Sequence, residues 1–424
     1  MRPYWFALAL LLAGCRDGSQ GPEVLQFWAL GSEAEVLTQL LPEFERTHPN
    51  IRVEVQQLAW SAAHEKLLTA VAGDATPDLC QLGNSWLPEL VALKALAPLP
   101  DRLAQSQAIS QADYFPGVWQ TNTLDGVLFG IPWYVDTRAL YYRSDILRAA
   151  GYAAPADTWA GWFEQLKAIK RLVGTQRYAV LLPVNEFDFV QIMALQQPEP
   201  MLRDGGRYGN FRSASFRRVL SFYRELFAQS LAPSMTNEEI SNVWNELGNG
   251  FFSFYVSGPW NIGEFKRRLP PEQQGNWMTA PMPGPAGPGV SNVGGASLVI
   301  FRRSTHQAGA WALIEYLSQP AVQRQFHALT GDLPPRRSSW EGGAIAADPY
   351  ARAFRSQLER LRAFPQVPEW EQIMQAMRIM AERVALGRQD VDSAVTAFDI
   401  EVDAMLAKRR WLLDRQARRT GHKS

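Results

Sequence analysis

The chain is poor in the residues that build metal sites and covalent cross-links. Two cysteines in 424 residues permit one disulfide at most, and five histidines lie scattered without ligand spacing. A metal centre therefore has no support. His64-Glu65 is not followed by a second histidine, so the zincin motif is absent. No G-x-x-x-x-G-K-[ST] loop occurs. The stretch from Gly284 to Gly295 lacks G-x-G-x-x-G spacing and carries prolines that would not open a helix, so no nucleotide cofactor is implied. No G-x-S-x-G elbow marks a serine hydrolase. An excess of one charge is lacking too: 42 basic residues balance 42 acidic ones, which removes the signature of a nucleic-acid binder. Beyond the N-terminus no apolar run approaches the ~20 residues of a membrane helix. Nothing repeats at a fixed period, so no solenoid is expected.

What is present starts at the first residues. Arg2, an apolar run from Tyr4 and small residues before Cys15 follow the plan of a secretory signal. Leu12-Ala13-Gly14-Cys15 resembles the lipobox of bacterial lipoproteins, whose cysteine is lipidated and becomes the first mature residue. The alternative is an ordinary cleaved signal with a chance cysteine. The resemblance implies a lipoprotein signal over residues 1–15, lipidation at Cys15, and work at the periplasmic or cell-surface face of a bacterial membrane. The lipid would be the only membrane contact. Cys80 would then stand alone, and in the predicted strand Leu79-Cys80-Gln81-Leu82 it reads as a small buried hydrophobe.

Charge is unevenly spread. From Lys408 to Ser424 there are seven basic residues and one acidic, leaving the rest mildly acidic. This tail reads as a solvated helix end in preference to a segment lying against anionic lipid. Tryptophan is abundant, with 15 in all, and Trp60, Trp86, Trp133, Trp260 and Trp370 stand beside turn residues. Aromatic faces stack on the C–H faces of sugars while carboxylates, amides and guanidinium groups bond the hydroxyls. Each tryptophan is equally explained as a core plug.

The first mature segment reads β-α-β-α-β. Val24 to Leu30 is a strand. Ser32 and Glu35 have capping-box spacing, and the helix they open runs toward Thr47 through Leu37, Leu40, Leu41 and Phe44. Ile51, Val53 and Val55 alternate as a strand, Ser61 to Gly73 is a second helix, and Leu79 to Leu82 is a third strand. This alternation predicts a largely parallel sheet with its ligand beyond the carboxyl ends of the strands, putting Gly31-Ser32-Glu33, Trp60 and Gly83-Asn84-Ser85-Trp86 on one rim. Further on, helices are predicted over Thr158–Leu172, Ser213–Ser230, Ala308–Ser318 and Ala321–Leu329, with strands over Tyr178–Leu182 and Ser297–Phe301. Pro281 to Gly289 is a loop or linker.

Six segments in order then carry a resemblance. They are Gly130-Ile131-Pro132-Trp133-Tyr134-Val135-Asp136 with its continuation to Leu147, Thr158-Trp159-Ala160-Gly161-Trp162, Ser257-Gly258-Pro259-Trp260, Val293-Gly294-Gly295, Leu333-Pro334-Pro335-Arg336, and Gly387-Arg388-Gln389-Asp390. Together they resemble the extracellular solute-binding proteins of ABC sugar importers, the group containing maltose- and trehalose-binding proteins. The resemblance implies an α/β fold of two lobes, each a mainly parallel sheet flanked by helices, joined by hinge strands near Val135-Asp136 and Val290–Asn292. It implies an N-terminal lobe from residues 23–135 and 292–340, a C-terminal lobe from 136–291 and 341–412, and a basic tail over 413–424.

The same resemblance implies a site between the lobes. Trp260 would be the stacking platform, and Asp136 would accept hydroxyl hydrogen bonds or else serve the hinge. Glu33 would bond the sugar or only stabilise its helix dipole. Asn84, Trp86 and Trp60 would line the rim, and Gly294 and Gly295 would admit close backbone approach or serve a turn. Arg336, or Arg337 beside it, would donate to hydroxyls, with Tyr134 and Trp370 completing the set. The stretch Gln196-Gln197-Pro198-Glu199-Pro200 departs from the pattern, which puts ligand contacts there in question. The expected protein is a monomeric, lipid-anchored, non-enzymatic carrier that delivers a disaccharide or oligosaccharide to a permease driven by an ATPase. A binder of a non-sugar solute such as a glycerol-phosphate ester, or a surface glycosidase, remains the alternative.

Overall fold

The computed structural model describes residues 21–186 and 188–421, so the signal segment and Cys15 lie outside the described residues. The chain starts with β1 (Glu23–Leu30), α1 (Glu33–Thr47), β2 (Ile51–Leu58), α2 (Trp60–Ala72) and β3 (Leu79–Gly83), then runs through short helices to β4 (Gly130–Tyr134). It next builds a second unit from β5 (Ala139–Arg143), α3 (Trp159–Val173), β6 (Tyr178–Leu181), α4 (Asp188–Leu195), α5 (Ala214–Ala228), β7 (Phe252–Ser257), α6 (Trp260–Arg268) and β8 (Trp277–Ala280). Through β9 (Ser291–Asn292) it returns to add β10 (Ala296–Ile300), α7 (Gln307–Leu317) and α8 (Pro320–Thr330) to the first unit. Residues beyond these supply β11 (Leu361–Arg362), α9 (Trp370–Ala385), α10 (Val391–Met405) and α11 (Ala407–Gly421).

Two open sheets result, and each becomes a lobe. The first has strand order β2-β1-β3-β10-β4 and the second β8-β5-β7-β6. The expectation of mainly parallel sheets is met only in part: β2-β1-β3 and β7-β6 pair in parallel, while one reversed strand in each sheet makes the remaining pairings antiparallel. β10 runs against both of its neighbours, and so does β5. Each reversed strand is the first to follow a crossing between lobes, where the chain enters its sheet from the opposite end. Cys80, in β3, is fully buried, and burial pushes its thiol well above the usual range, so it behaves as the apolar filler expected.

Separate cores fill the two lobes, one around Phe27, Phe44, Trp133 and Ile314, the other around Trp162, Tyr223, Phe254 and Met377. Under the crossings a third cluster joins Val135, Val293 and Leu333 to Tyr141 and Trp277. The crossing segments lie side by side. The Val135 amide donates to the Leu333 carbonyl at 2.9 Å, the Thr137 hydroxyl to the Asn292 carbonyl at 2.8 Å, and the Ser291 hydroxyl to the Arg138 carbonyl at 2.9 Å. β9 also pairs in parallel with β11.

Two expectations need correction. Ser32 caps α1 with helical backbone and no side-chain cap; its hydroxyl turns to the Glu33 carboxylate at 3.5 Å, while Glu35 accepts instead from Gln57 at 3.2 Å. The boundary at residue 412 falls inside α11, so residues 413–421 continue a helix that begins at Ala407.

Candidate functional site

Between the two sheets lies a cleft of about 620 Å³, and its walls come from both lobes. The strand-rim rule accounts for the first wall. Glu33 opens α1 directly beyond β1, Trp60 opens α2 beyond β2, and Asn84, Ser85 and Trp86 follow β3. Gly31 makes the first turn with φ +58°, and a Cβ there would lie 2.7 Å from both the Glu33 Oε2 and the Trp60 Nε1. Only glycine lets that carboxylate and indole meet over the strand end. Trp60 and Trp86 contact edge to face with centroids 5.6 Å apart, and His64 stacks on Trp86 at 5.0 Å.

Trp260 stands on the second wall, at the start of α6, and is 39% exposed. Its indole folds back over Gly258, where a Cβ would lie 2.0 Å from the ring. The Tyr141 hydroxyl fixes that backbone by donating to the Gly258 carbonyl at 2.7 Å. Beneath the ring sits the Arg138 guanidinium, 4.8 Å from a ring centroid. Arg138 also donates to Asp136 at 3.0 Å and to Asp188 at 2.7 and 2.8 Å, so one cation binds an indole and two carboxylates into a single floor. Burial raises the Asp136 carboxyl, with Arg138 holding it down in part and Asp188 pushing it up. Gly294 lies against this floor, and a Cβ there would sit 2.0 Å from the Asp136 Oδ1. Gly295 has φ +92° and would press a Cβ to 2.5 Å from the Tyr134 carbonyl. Gly294 is thus required by its contact with Asp136, and Gly295 by its contacts and its positive φ together.

Nine of the residues singled out in the sequence line this cleft: Glu33, Trp60, Asn84, Trp86, Tyr134, Asp136, Trp260, Gly294 and Gly295. Two of the nine have their polar atoms already occupied. The Asn84 amide donates to the Gly294 carbonyl at 2.9 Å and accepts from Ser297 at 2.7 Å, which ties β3 to β10. The Tyr134 hydroxyl donates to Glu33 at 2.9 Å and accepts from Gln81 at 3.1 Å, so it aims the Glu33 carboxylate.

Arg336 and Trp370 are corrections. Arg336 is buried away from the cleft, donating to Asp113 at 2.7 Å and to the carbonyls of Ala108 and Ser318 at 2.9 and 2.5 Å. Its guanidinium satisfies loop ends of the first lobe. The alternative, Arg337, is also placed elsewhere, donating to the Tyr114 carbonyl and to Glu359. Trp370 is 1% exposed and packs with Phe364 in the second core, because the helical turn it opens presents its neighbour Glu371 to the cleft instead. No residue from 191 to 206 lines the cleft among the described residues; 197–202, 205 and 206 border a separate cavity of about 430 Å³.

Sequence reasoning missed Arg138, Asp188, Asp332 and Glu371. Asp332 is the most perturbed of them: burial, then the Glu33 and Asp136 carboxylates, push it from 3.8 to about 8. Glu371, from the second lobe, is raised by burial, with the Ser85 hydroxyl across the cleft lowering it in part. The Asp332 shift has a measurable consequence. An unfolded chain loses this proton near 3.8 while the folded chain keeps it to about 8, so across that window the native state binds the extra proton and stability falls as pH rises. Asp332→Asn should remove that contribution, about 1.4 kcal/mol per pH unit within the window. Urea denaturation of both proteins along a pH series checks it; parallel pH dependences would refute it.

The family model described as bacterial extracellular solute-binding protein matches residues 39–353. The solved structure of the sugar-binding protein MalE from the phytopathogen Xanthomonas citri is 54% identical, covers 92% of this chain and 99% of its own, and superposes with a TM-score of 0.90. The diacetylchitobiose binding protein DasA of Streptomyces coelicolor is 23% identical over 84% of this chain and 82% of its own. An uncharacterized lipoprotein of Streptomyces antibioticus is 28% identical over 74% of this chain and 71% of its own. The match to the family model over most of the chain, on a two-lobed fold with an inter-lobe cleft, makes this protein a member of the bacterial extracellular solute-binding protein family.

Proposed function

We propose that the cleft binds a sugar, a disaccharide or short oligosaccharide, and that the protein delivers it as a monomer to the permease of an ABC importer. The observation that carries this reading is the arrangement of indoles. Trp260 lies open on one wall and the Trp60–Trp86 pair on the other, with carboxylates between them. Flat apolar faces on both sides of a carboxylate-lined slot suit a pyranose, which has an apolar face and a hydroxyl rim. Glu33, Asp136, Asp188, Asp332 and Glu371 would receive or give hydroxyl hydrogen bonds, and Gly294 and Gly295 would let the ligand reach the backbone. The similarity to MalE of Xanthomonas citri supports the sugar, and the lipoprotein relative supports lipidation at Cys15. In this reading the lobes comprise 23–135 with 292–340, and 136–291 with 341–421.

A glycerol-phosphate ester suits the cleft poorly. Among the described residues Arg138 is the one cation lining it, and two carboxylates already neutralise it. Asp332, pushed up to about 8, stands among the carboxylates of the cleft, so turnover of chromogenic glycosides is the appropriate control, with none expected. A thermal-shift screen of the chain from Arg16 onward against mono-, di- and oligosaccharides tests the function. A sugar at 100 times its Kd should add about 2.7 kcal/mol of stability. Stabilisation by phosphate esters alone would overturn the sugar reading while leaving the fold untouched.

A further inference from the structure

Helix α11 carries a face that neither the cleft nor the packing of the second lobe uses. Its inner side is engaged: Arg409 donates to the Gly206 carbonyl at 3.2 Å, Arg410 donates to the Arg207 carbonyl at 3.0 Å, and Asp414 pairs with Arg207. The outer side follows helical spacing through Lys408, Trp411, Leu412, Arg415 and Arg418, all exposed. Trp411 is 57% and Leu412 43% exposed. Arg415 stacks on the Trp411 ring at 5.3 Å. Among the described residues none of Lys408, Arg415 and Arg418 makes an ion pair, and Asp414 is turned away toward Arg207.

The sequence alone favoured a solvated helix end, and cations by themselves would satisfy that reading. An indole and a leucine held outward among three unpaired cations do not. That composition matches a helix lying in the headgroup layer of a bilayer, where the apolar side chains reach the acyl boundary and the cations meet phosphate. Among the described residues no helix is long and apolar enough to cross a membrane, so the contact would be superficial. We propose that the outer face of α11 rests on an anionic lipid surface, independently of any lipid on Cys15. A protein partner would have to place acids opposite three separate cations with an apolar pocket between them. A headgroup layer supplies both without fixed geometry. The second lobe would thereby be held against the membrane.

The test uses the chain from Arg16 onward, which keeps every described residue and lacks Cys15. It is sedimented with vesicles of phosphatidylcholine alone and of phosphatidylcholine with phosphatidylglycerol in equal parts. Retention on the mixed vesicles only is expected. K408E/R415E/R418E should weaken partitioning by about 100-fold, and W411A several-fold, with melting temperatures unchanged. If the triple variant folds poorly, W411A combined with a salt titration carries the test, because retention should fall with salt in the parent. Equal retention on both vesicle types would overturn the proposal, as would retention that no variant and no salt reduces. Retention on native membranes with none on pure lipid would also overturn it, in favour of a protein partner.

Discussion

Trp260→Ala is expected to weaken sugar binding by about 30- to 150-fold, the equivalent of roughly 2–3 kcal/mol. The side chain is 39% exposed in the free protein, so a ligand face laid on it would complete a burial that the fold leaves unfinished. The surrounding structure exists to hold this ring out. Gly258 admits it, Tyr141 pins the backbone beneath it, and Arg138 backs its inner face. Because the indole is not a core plug, the variant should keep its melting temperature within a few degrees while losing affinity. Trp260→Phe should retain part of the binding, since a smaller ring offers less stacking area. Titration calorimetry with the sugar identified in the thermal screen reads both. Unchanged affinity in the alanine variant would remove Trp260 from the site.

Arg138→Met should cost about 3–5 kcal/mol of stability. The loss comes less from the missing bonds than from what is left behind. Asp136 and Asp188 would face each other across the cleft floor with no cation between them, and burial already raises Asp136. The orphaned carboxylates should take up protons, so the variant should recover stability as pH falls and lose it as pH rises. Adding Asp136→Asn and Asp188→Asn should restore much of the deficit. Urea denaturation of the single and triple variants decides the matter. A deficit that the two asparagines leave unchanged would mean that the cost lies in packing of the arginine stem.

Much of the first lobe is legible from local pattern, because β1 to β3 and their helices alternate at short range. The second half of that sheet is not. β10 enters between β3 and β4 from far downstream, and no local signal marks a strand as the missing partner of two others. Site residues divide in the same way. Glu33, Trp60 and Trp86 are legible because the carboxyl ends of parallel strands mark a rim, and Trp260 because Ser257-Gly258-Pro259-Trp260 resembles the Gly-Pro-Trp of the solute-binding family. Arg336 misled, since its Leu-Pro-Pro-Arg context gives no hint that Asp113, on a distant loop, captures the guanidinium. Trp370 misled by one position of a helical turn. Arg138 was within reach: Asp136 and Arg138 are two apart in an extended segment, where alternate side chains share a face. Asp332 was not, because its shift depends on Glu33 and Asp136 arriving from other segments.

The placement of β10 also bears on timing. β3 and β4 do not pair with each other; each bonds to β10, so β4 stays unjoined to the β2-β1-β3 ribbon until Ile300 has been synthesised. A ribosome adds about 5–20 residues per second, so the leading half of the protein would wait roughly ten seconds or more for the strand that closes its sheet. Proteins that act outside the cell are threaded through a membrane as extended chains, and premature folding blocks that passage. The interleaving that builds a hinge in the finished molecule would therefore act earlier as a delay. The delay falls on the first lobe, since the second sheet has all its strands once Ala280 has been made, and a chain held loose for that long would stay fit for export.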